Sequence, residues 1–236
     1  MSTDNNSGTT RLLVFIPSPR DLPDFTDAIQ RLPHDRYWVK YTGYEHDPYG
    51  LGRTFFLEHE QYTHLAICPD DLIVDPAGVA KLLQDAEKYP VVMGTCNVDI
   101  EDHAHINGNL ALTHNLPAGE KSNRVYDWYT KQQVKGAGLL RVPWAGTPFA
   151  ILRRDIVEQV EFTGDLRWNP DKTHAYAYDV GIAHDLARLN IPLMVDTDVY
   201  FFHNRLNDKR LHLMNGKKPR QTWYDVAGQM RTITLL

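Results

Sequence analysis

The stretch Tyr62-Thr-His-Leu-Ala-Ile-Cys-Pro-Asp-Asp-Leu-Ile-Val-Asp-Pro76 constrains this chain more than any other. The apolar run from Leu65 to Cys68 has the composition of a buried strand, and it delivers two adjacent carboxylates, Asp70 and Asp71, into a turn. A helix is predicted to follow at once. Asp75 suits the N-cap, Pro76 suits the first helical position, and Val79, Leu82, Leu83 and Ala86 recur at helical spacing until Pro90. Strand, acidic turn and helix in this order place the carboxylates where open α/β sheets bind ligands. Paired Asp residues also occur as ordinary turn and cap residues, so two readings stand: a structural turn, or hard oxygen ligands for Mg²⁺ or Mn²⁺ holding a substrate's phosphates.

The chain before this stretch opens β-α-β. Arg11 to Ile16 is a central-strand run stopped by Pro17-Ser-Pro-Arg20. A helix is expected from about Asp21 to Leu32, with Leu22, Phe25, Ala28, Ile29 and Leu32 on one face, and Tyr37 to Tyr41 reads as a second strand. That order favours a parallel sheet flanked by helices. Asp47-Pro-Tyr-Gly-Leu-Gly52 reads as a flexible turn into a short helix over residues 53–60, and Pro90 to Gly94 as another strand.

At 236 residues the chain fits one large α/β domain or two small ones. Its net charge of -5 gives no global basic field for nucleic acid, although Lys217, Lys218 and Arg220 form a local basic patch. Residues 1–10 are polar and read as a flexible tail without signal-peptide character. No apolar run approaches the roughly 20 residues that cross a bilayer, so a soluble protein is expected. Cys68 and Cys96 lack metal-ligand spacing and read as small buried hydrophobes, which fits a reducing, cytoplasmic compartment. The sequence contains no P-loop, no Gly-x-Gly-x-x-Gly turn and no Gly-x-Ser-x-Gly elbow, which counts against P-loop NTPases, dinucleotide oxidoreductases and serine hydrolases.

From Asn97 to Pro143 the alternation of strand and helix fades. Asp99-Ile-Glu-Asp-His-Ala-His105 reads as a solvated loop or strand face in preference to a metal cluster, and Asn107-Gly108 as a hairpin turn. Tyr126, Trp128 and Tyr129 read either as core or as an aromatic platform under a sugar. Order returns over Val142 to Arg154, where Gly146 either makes a turn or allows close backbone approach to a ligand. Asp179 precedes a helix carrying Ile182, Leu186 and Leu189, where a carboxylate also serves as an N-terminal cap. Residues 192–195 and 199–203 are strand-like, the second ending in His203. Arg205, Lys209 and Arg210 follow as diphosphate contacts or a solvated basic loop.

In this order the motifs resemble those of GT-A fold glycosyltransferases, most closely the inverting members that use nucleotide sugars. The similarity rests on Ile16-Pro17-Ser18 ending the first strand, Arg53 on the helix before the acidic strand, the acidic turn itself, and Val91-Val92-x-Gly94 after it. The resemblance implies a GT-A-like single domain over 11–236, with a mixed, mostly parallel central sheet flanked by helices. Residues 11–96 would form the nucleotide-sugar-binding half and 97–236 the acceptor-binding half. Donor contacts would come from Pro17, Ser18, Arg53, Asp70, Asp71 and Gly146, a divalent cation would be bound by Asp71 and His203, and Asp179 would act as general base toward an acceptor hydroxyl. Two positions depart from the pattern: Pro69 stands where the first Asp of Asp-x-Asp is expected, and Tyr178 where a Glu precedes Asp179. Both departures fit a catalytically silent sugar- or nucleotide-binding module on the same fold. A nucleotidyltransferase is the enzymatic alternative, though Pro17-Ser-Pro-Arg20 lacks the basic Gly-rich loop expected there.

Overall fold

The computed structural model describes residues 10–18, 23–40, 47–98, 108–118, 125–162, 178–203, 220–224 and 229–232, the two C-terminal strands by their backbone alone. Its first half alternates as the sequence predicts, with the short β4 added: β1 (Leu12–Ser18), α1 (Pro23–Gln30), β2 (Asp35–Lys40), α2 (Pro48–Glu58), β3 (His64–Ile67), β4 (Leu72–Ile73), α3 (Pro76–Ala86) and β5 (Val91–Thr95). Shorter elements follow: β6 (Asn109–Thr113), β7 (Trp128–Thr130), α4 (Lys131–Val134), β8 (Leu139–Val142), β9 (Trp144–Ala145), β10 (Ala150–Arg153) and α5 (Arg154–Gln159). The last third contributes α6 (Tyr178–Arg188), β11 (Leu193–Tyr200), β12 (Phe202–His203), β13 (Arg220–Tyr224) and β14 (Met230–Thr232).

The central sheet runs β14-β13-β2-β1-β3-β10-β5-β11-β8. Strands β2, β1 and β3 are mutually parallel, β5 and β11 continue in the same sense, and β10 lies antiparallel between β3 and β5. The mixed, mostly co-directional sheet of an α/β fold is therefore present. Every residue of β1 is buried because successive side chains face opposite sides of a doubly covered sheet. Leu13 and Phe15 pack with Phe55 and Phe56 of α2, Ile156 of α5 and Leu186 of α6, while Leu12, Val14 and Ile16 pack with Phe25 and Ile29 of α1 and Val79 and Leu82 of α3. Each such side chain contributes about 1.5–3 kcal/mol by leaving water.

Two sequence expectations change. The turn expected over Asp47 to Gly52 is the first turn and a half of α2, because Asp47 accepts the Gly50 N–H at 2.8 Å and Pro48 opens the helix. The two strands expected near 192–203 are one long strand, β11, whose register shifts between Val195 and Tyr200, followed by the short β12. The region where alternation fades is a second, antiparallel sheet of order β7-β6-β9. His103, His105, Asn107, Arg205, Lys209, Arg210, Lys217 and Lys218 lie outside the described residues, as does the tail before residue 10. No described helix is long and apolar enough to cross a membrane.

Candidate active site

The acidic turn leaves β3 at Cys68, whose N–H still bonds the Phe15 carbonyl at 2.9 Å, and closes with Leu72 N–H donating to Pro69. Asp70 turns inward, 1% exposed, and accepts a 3.0 Å hydrogen bond from the Ser18 hydroxyl at the end of β1. Asp71 points the other way. It is brought to His203 by a short antiparallel ladder in which Leu72 pairs with His203 and Ile73 with Phe202. Two elements separated by 132 positions thus meet, with His203 Nε2 lying 3.3 Å from Asp71 Oδ2.

The proton on His203 is fixed from behind. Its Nδ1 lies 2.9 Å from the Asn97 backbone carbonyl, an oxygen that can only accept, so Nδ1 carries the hydrogen. A neutral ring then presents its Nε2 lone pair to the Asp71 carboxylate. Two acceptors face each other, and either a second ring proton or a cation between them relieves the repulsion. Asn97 is wholly buried and its side-chain oxygen accepts from the Tyr200 hydroxyl at 2.8 Å, so the carbonyl behind the imidazole is held in place. Burial, then the charge of Cys96, pushes the Tyr200 phenol up to about 12, which keeps it a donor.

A carboxylate and an imidazole side by side suit a hard divalent cation that takes its remaining ligands from substrate phosphate and water. Among the described residues no group of three His, Cys, Asp or Glu side chains could hold a metal, so Asp71 and His203 stand as a pair. Cys68, below the turn, does not join the set. Burial, then the charges of Asp71 and Asp70, raise its thiol well above the ordinary value and keep it protonated.

Asp71 and His203 open into a cavity of about 300 Å³, whose wall also includes Tyr49, Gly146, Thr147, Asp179, Trp128 and Trp144. Asp179 arrives in the first turn of α6, and Gly146 in the loop between β9 and β10. A Cβ at Gly146 would stand 3.3 Å from Ala111, tight but free of backbone strain, so this glycine is favoured by close packing. Thr147 follows at φ 50°, a conformation uncommon for a threonine. The aromatic wall belongs to the small sheet: Tyr126 stacks on Trp128 with centroids 4.7 Å apart, and both meet Trp144 edge-on. The Trp144 indole N–H is buried without a hydrogen-bond partner among the described residues. A larger cavity of about 380 Å³ between α6 and β8 is lined by Arg141, Val142, Leu186 and Leu193 among others and includes no carboxylate or histidine.

Of the residues singled out from sequence, Asp71, Gly146, Asp179 and His203 line one cavity, and Ser18 and Asp70 are joined directly behind it. Pro17 is not among its lining residues. Arg53 is not brought there either. Its guanidinium donates to the carbonyls of Val157, Val160 and Glu158 at 3.0, 2.9 and 3.0 Å, tying α2 to the end of α5. Tyr129 leaves the aromatic group and lies against His114. Tyr49, Asn97 and Trp144 were not foreseen. For Tyr49 a signal existed in Asp47-Pro48, while Asn97 acts through a backbone carbonyl that no side-chain pattern can announce.

No protein-family model matches the chain, and no curated protein matches it. Solved structures are similar to it, among them the following two. A197 from STIV superposes with a TM-score of 0.54 at 16% identity, over 96% of this chain and 96% of its own. The inositol-1-phosphate CTP transferase from T. maritima has a TM-score of 0.45 at 12% identity, over 89% of this chain and 99% of its own. The A197 likeness runs nearly end to end and establishes a shared fold; neither likeness establishes an activity.

Proposed function

We propose that the protein transfers a glycosyl group from a nucleoside-diphosphate sugar to a hydroxyl acceptor, with inversion at the anomeric carbon. The observation that carries this reading is the convergence of Asp71, His203, Asp179 and Gly146 on one cavity beyond the carboxyl end of β3. Such a transfer breaks the bond from the anomeric carbon to the diphosphate, forms one to the acceptor oxygen, and removes the hydroxyl proton. The two charge movements need different partners. Asp71 and His203 would hold a divalent cation, Mg²⁺ or Mn²⁺, which supplies positive charge to the departing diphosphate. Asp179 accepts the acceptor's proton, a contribution of typically about 10²- to 10⁴-fold. Gly146 presents a wall without a side chain, and Trp128 and Trp144 offer flat apolar faces of the kind that pack on the carbon-hydrogen face of a sugar ring. Ser18 holds Asp70 inward, leaving Asp71 as the carboxylate directed at the cation.

Nucleotidyl transfer is the second reading. A site that neutralises phosphate oxygens with Asp71, His203 and a cation serves attack at phosphorus as well as at an anomeric carbon. The products separate the two. Incubation with uridine- and guanosine-diphosphate sugars plus Mn²⁺ should release nucleoside diphosphate, lost in Asp71→Ala. In Asp179→Asn, donor binding should persist while transfer falls on the order of 10²-fold or more. Release of pyrophosphate from a nucleoside triphosphate and a sugar phosphate, with nucleotide sugars inert, would replace glycosyl by nucleotidyl transfer. Binding of either donor without turnover under every acceptor would leave a binding module.

A further inference from the structure

We infer that Tyr178, standing where the resemblance leads one to expect a second carboxylate, is a positioning residue: its ring stacks on Tyr49 and fixes the first turn of α6, and thereby Asp179, over the cavity. The inference rests on the reading of Asp179 as the general base. Its physical basis is a chain of ring contacts running from the middle of the sheet to the helix start. Phe15 of β1 is fully buried and meets Tyr49 of α2 edge-on, with centroids 5.7 Å apart and planes at 83°. Tyr49 in turn lies face to face with Tyr178, with centroids 4.0 Å apart and planes at 9°. Tyr178 is the first residue of α6 and Asp179 the second, and Tyr49 and Asp179 line the same cavity.

A helix start needs such an anchor because the N–H groups of its first turn have no intrahelical partner. Further along, α6 is well secured. Val180 and Ala183 pack on Trp144, Ile182 and Leu186 join the main core, and His184 Nε2 bonds the Pro117 carbonyl at 2.8 Å. These contacts set where the helix lies but act beyond Asp179. The Tyr49 stack acts one residue before it. An aromatic pair of this kind is worth about 0.5–1.5 kcal/mol beyond the area it buries, enough to decide whether one terminal turn is formed. It also has a firm base: α2 is fixed at its start by the Asp47 cap and through Arg53 to α5. A glutamate at 178 would bring a second charge beside Asp179; a tyrosine leaves Asp179 as the carboxylate of the α6 first turn.

The test compares Tyr178→Ala, which removes the stack, with Tyr178→Phe, which keeps it, and with Asp179→Asn. Amide hydrogen exchange at residues 182–184, whose N–H groups close the first turn of α6, should quicken in Tyr178→Ala and stay at the parent rate in Tyr178→Phe. In transfer assays kcat should fall on the order of 10-fold in Tyr178→Ala, with the donor KM changed by less than about 2-fold, and Tyr178→Phe should restore it. Unchanged exchange in Tyr178→Ala overturns the anchor. Faster exchange with unchanged kcat, or a loss that Tyr178→Phe does not restore, overturns the positioning role. Full transfer by Asp179→Asn would instead remove the general base reading while the exchange result for the stack stands by itself.

Discussion

Lys81 reaches from α3 to Asp196 of β11, a carboxylate with no exposed surface, and also lies 3.5 Å from Asp85 one helical turn on. The Asp198 N–H also donates to Asp196 at 3.0 Å, and the ammonium group supplies the positive charge opposite this buried carboxylate. Hydrogen bonding to Asp196 holds the Lys81 ammonium above its ordinary pKa of 10.5. The fold therefore favours the charged lysine, and its contribution is complete below pH 10.5 and is lost as pH rises through the raised value. Lys81→Met should destabilise the protein by about 1–2 kcal/mol, the lower part of the range for an unsatisfied buried group. The lower part applies because the lysine side chain is 46% exposed and water can replace part of its role. Urea denaturation at pH 7 checks the size, and the difference between variant and parent should shrink at strongly alkaline pH. The local placement of some residues was legible: Asp71 after its strand, Asp179 at a helix start though one residue inside it, His203 at a strand end. Arg53 was misplaced, because an arginine before an acidic strand looks the same whether its guanidinium meets a phosphate or three backbone carbonyls.

The tetrapeptide pattern Asp-Pro-x-Gly occurs twice, at Asp47 to Gly50 and at Asp75 to Gly78, and it does the same work both times. In each the aspartate accepts the glycine N–H at 2.8 Å and the proline opens a helix. Sequence reading recognised the second and took the first for a turn, because glycines at 50 and 52 suggested flexibility where there is a helix. The reason for Gly52 is packing. A Cβ there would lie 2.7 Å from three atoms of the Phe15 ring, so α2 rests directly on β1. Replacing a helix-interior glycine by alanine ordinarily stabilises by up to about 1 kcal/mol. Here the sign should reverse: Gly52→Ala is expected to cost about 1–2 kcal/mol through overpacking, while Thr54→Ala on the exposed face of the same helix stays within about 0.5 kcal/mol. Thermal unfolding of the two variants side by side makes the comparison. A shift of α2 would also carry Tyr49, so Gly52→Ala should quicken exchange in the first turn of α6 as well.

At the scale of the molecule, the alternating first half was legible because each strand is a short apolar run and each helix carries one apolar stripe. The antiparallel parts were not, because pairings such as β6 with β9 or β4 with β12 join brief segments with no periodicity of their own. The C-terminal hairpin is another such part. Strand β13 pairs antiparallel with five of the six residues of β2, from Arg220 with Lys40 to Tyr224 with Arg36, and β14 covers its outer side. Ending the chain after residue 219 would expose the β2 ladder, and open edges pair with other chains. That shortened protein should elute as larger species than the full chain by size-exclusion chromatography.

Strand β10 has a consequence for how the molecule comes into being. It sits between β3 and β5, so β3 pairs early with β1 on one side only, and β5 has no neighbour in the central sheet until residues 150–153 slot between the two. A nascent polypeptide can pair β2, β1 and β3 in order of synthesis, but β5 must wait for a latecomer that enters antiparallel to both its neighbours. Closure of the sheet between β3 and β5 thus depends on a four-residue keystone that follows β5 by more than fifty positions.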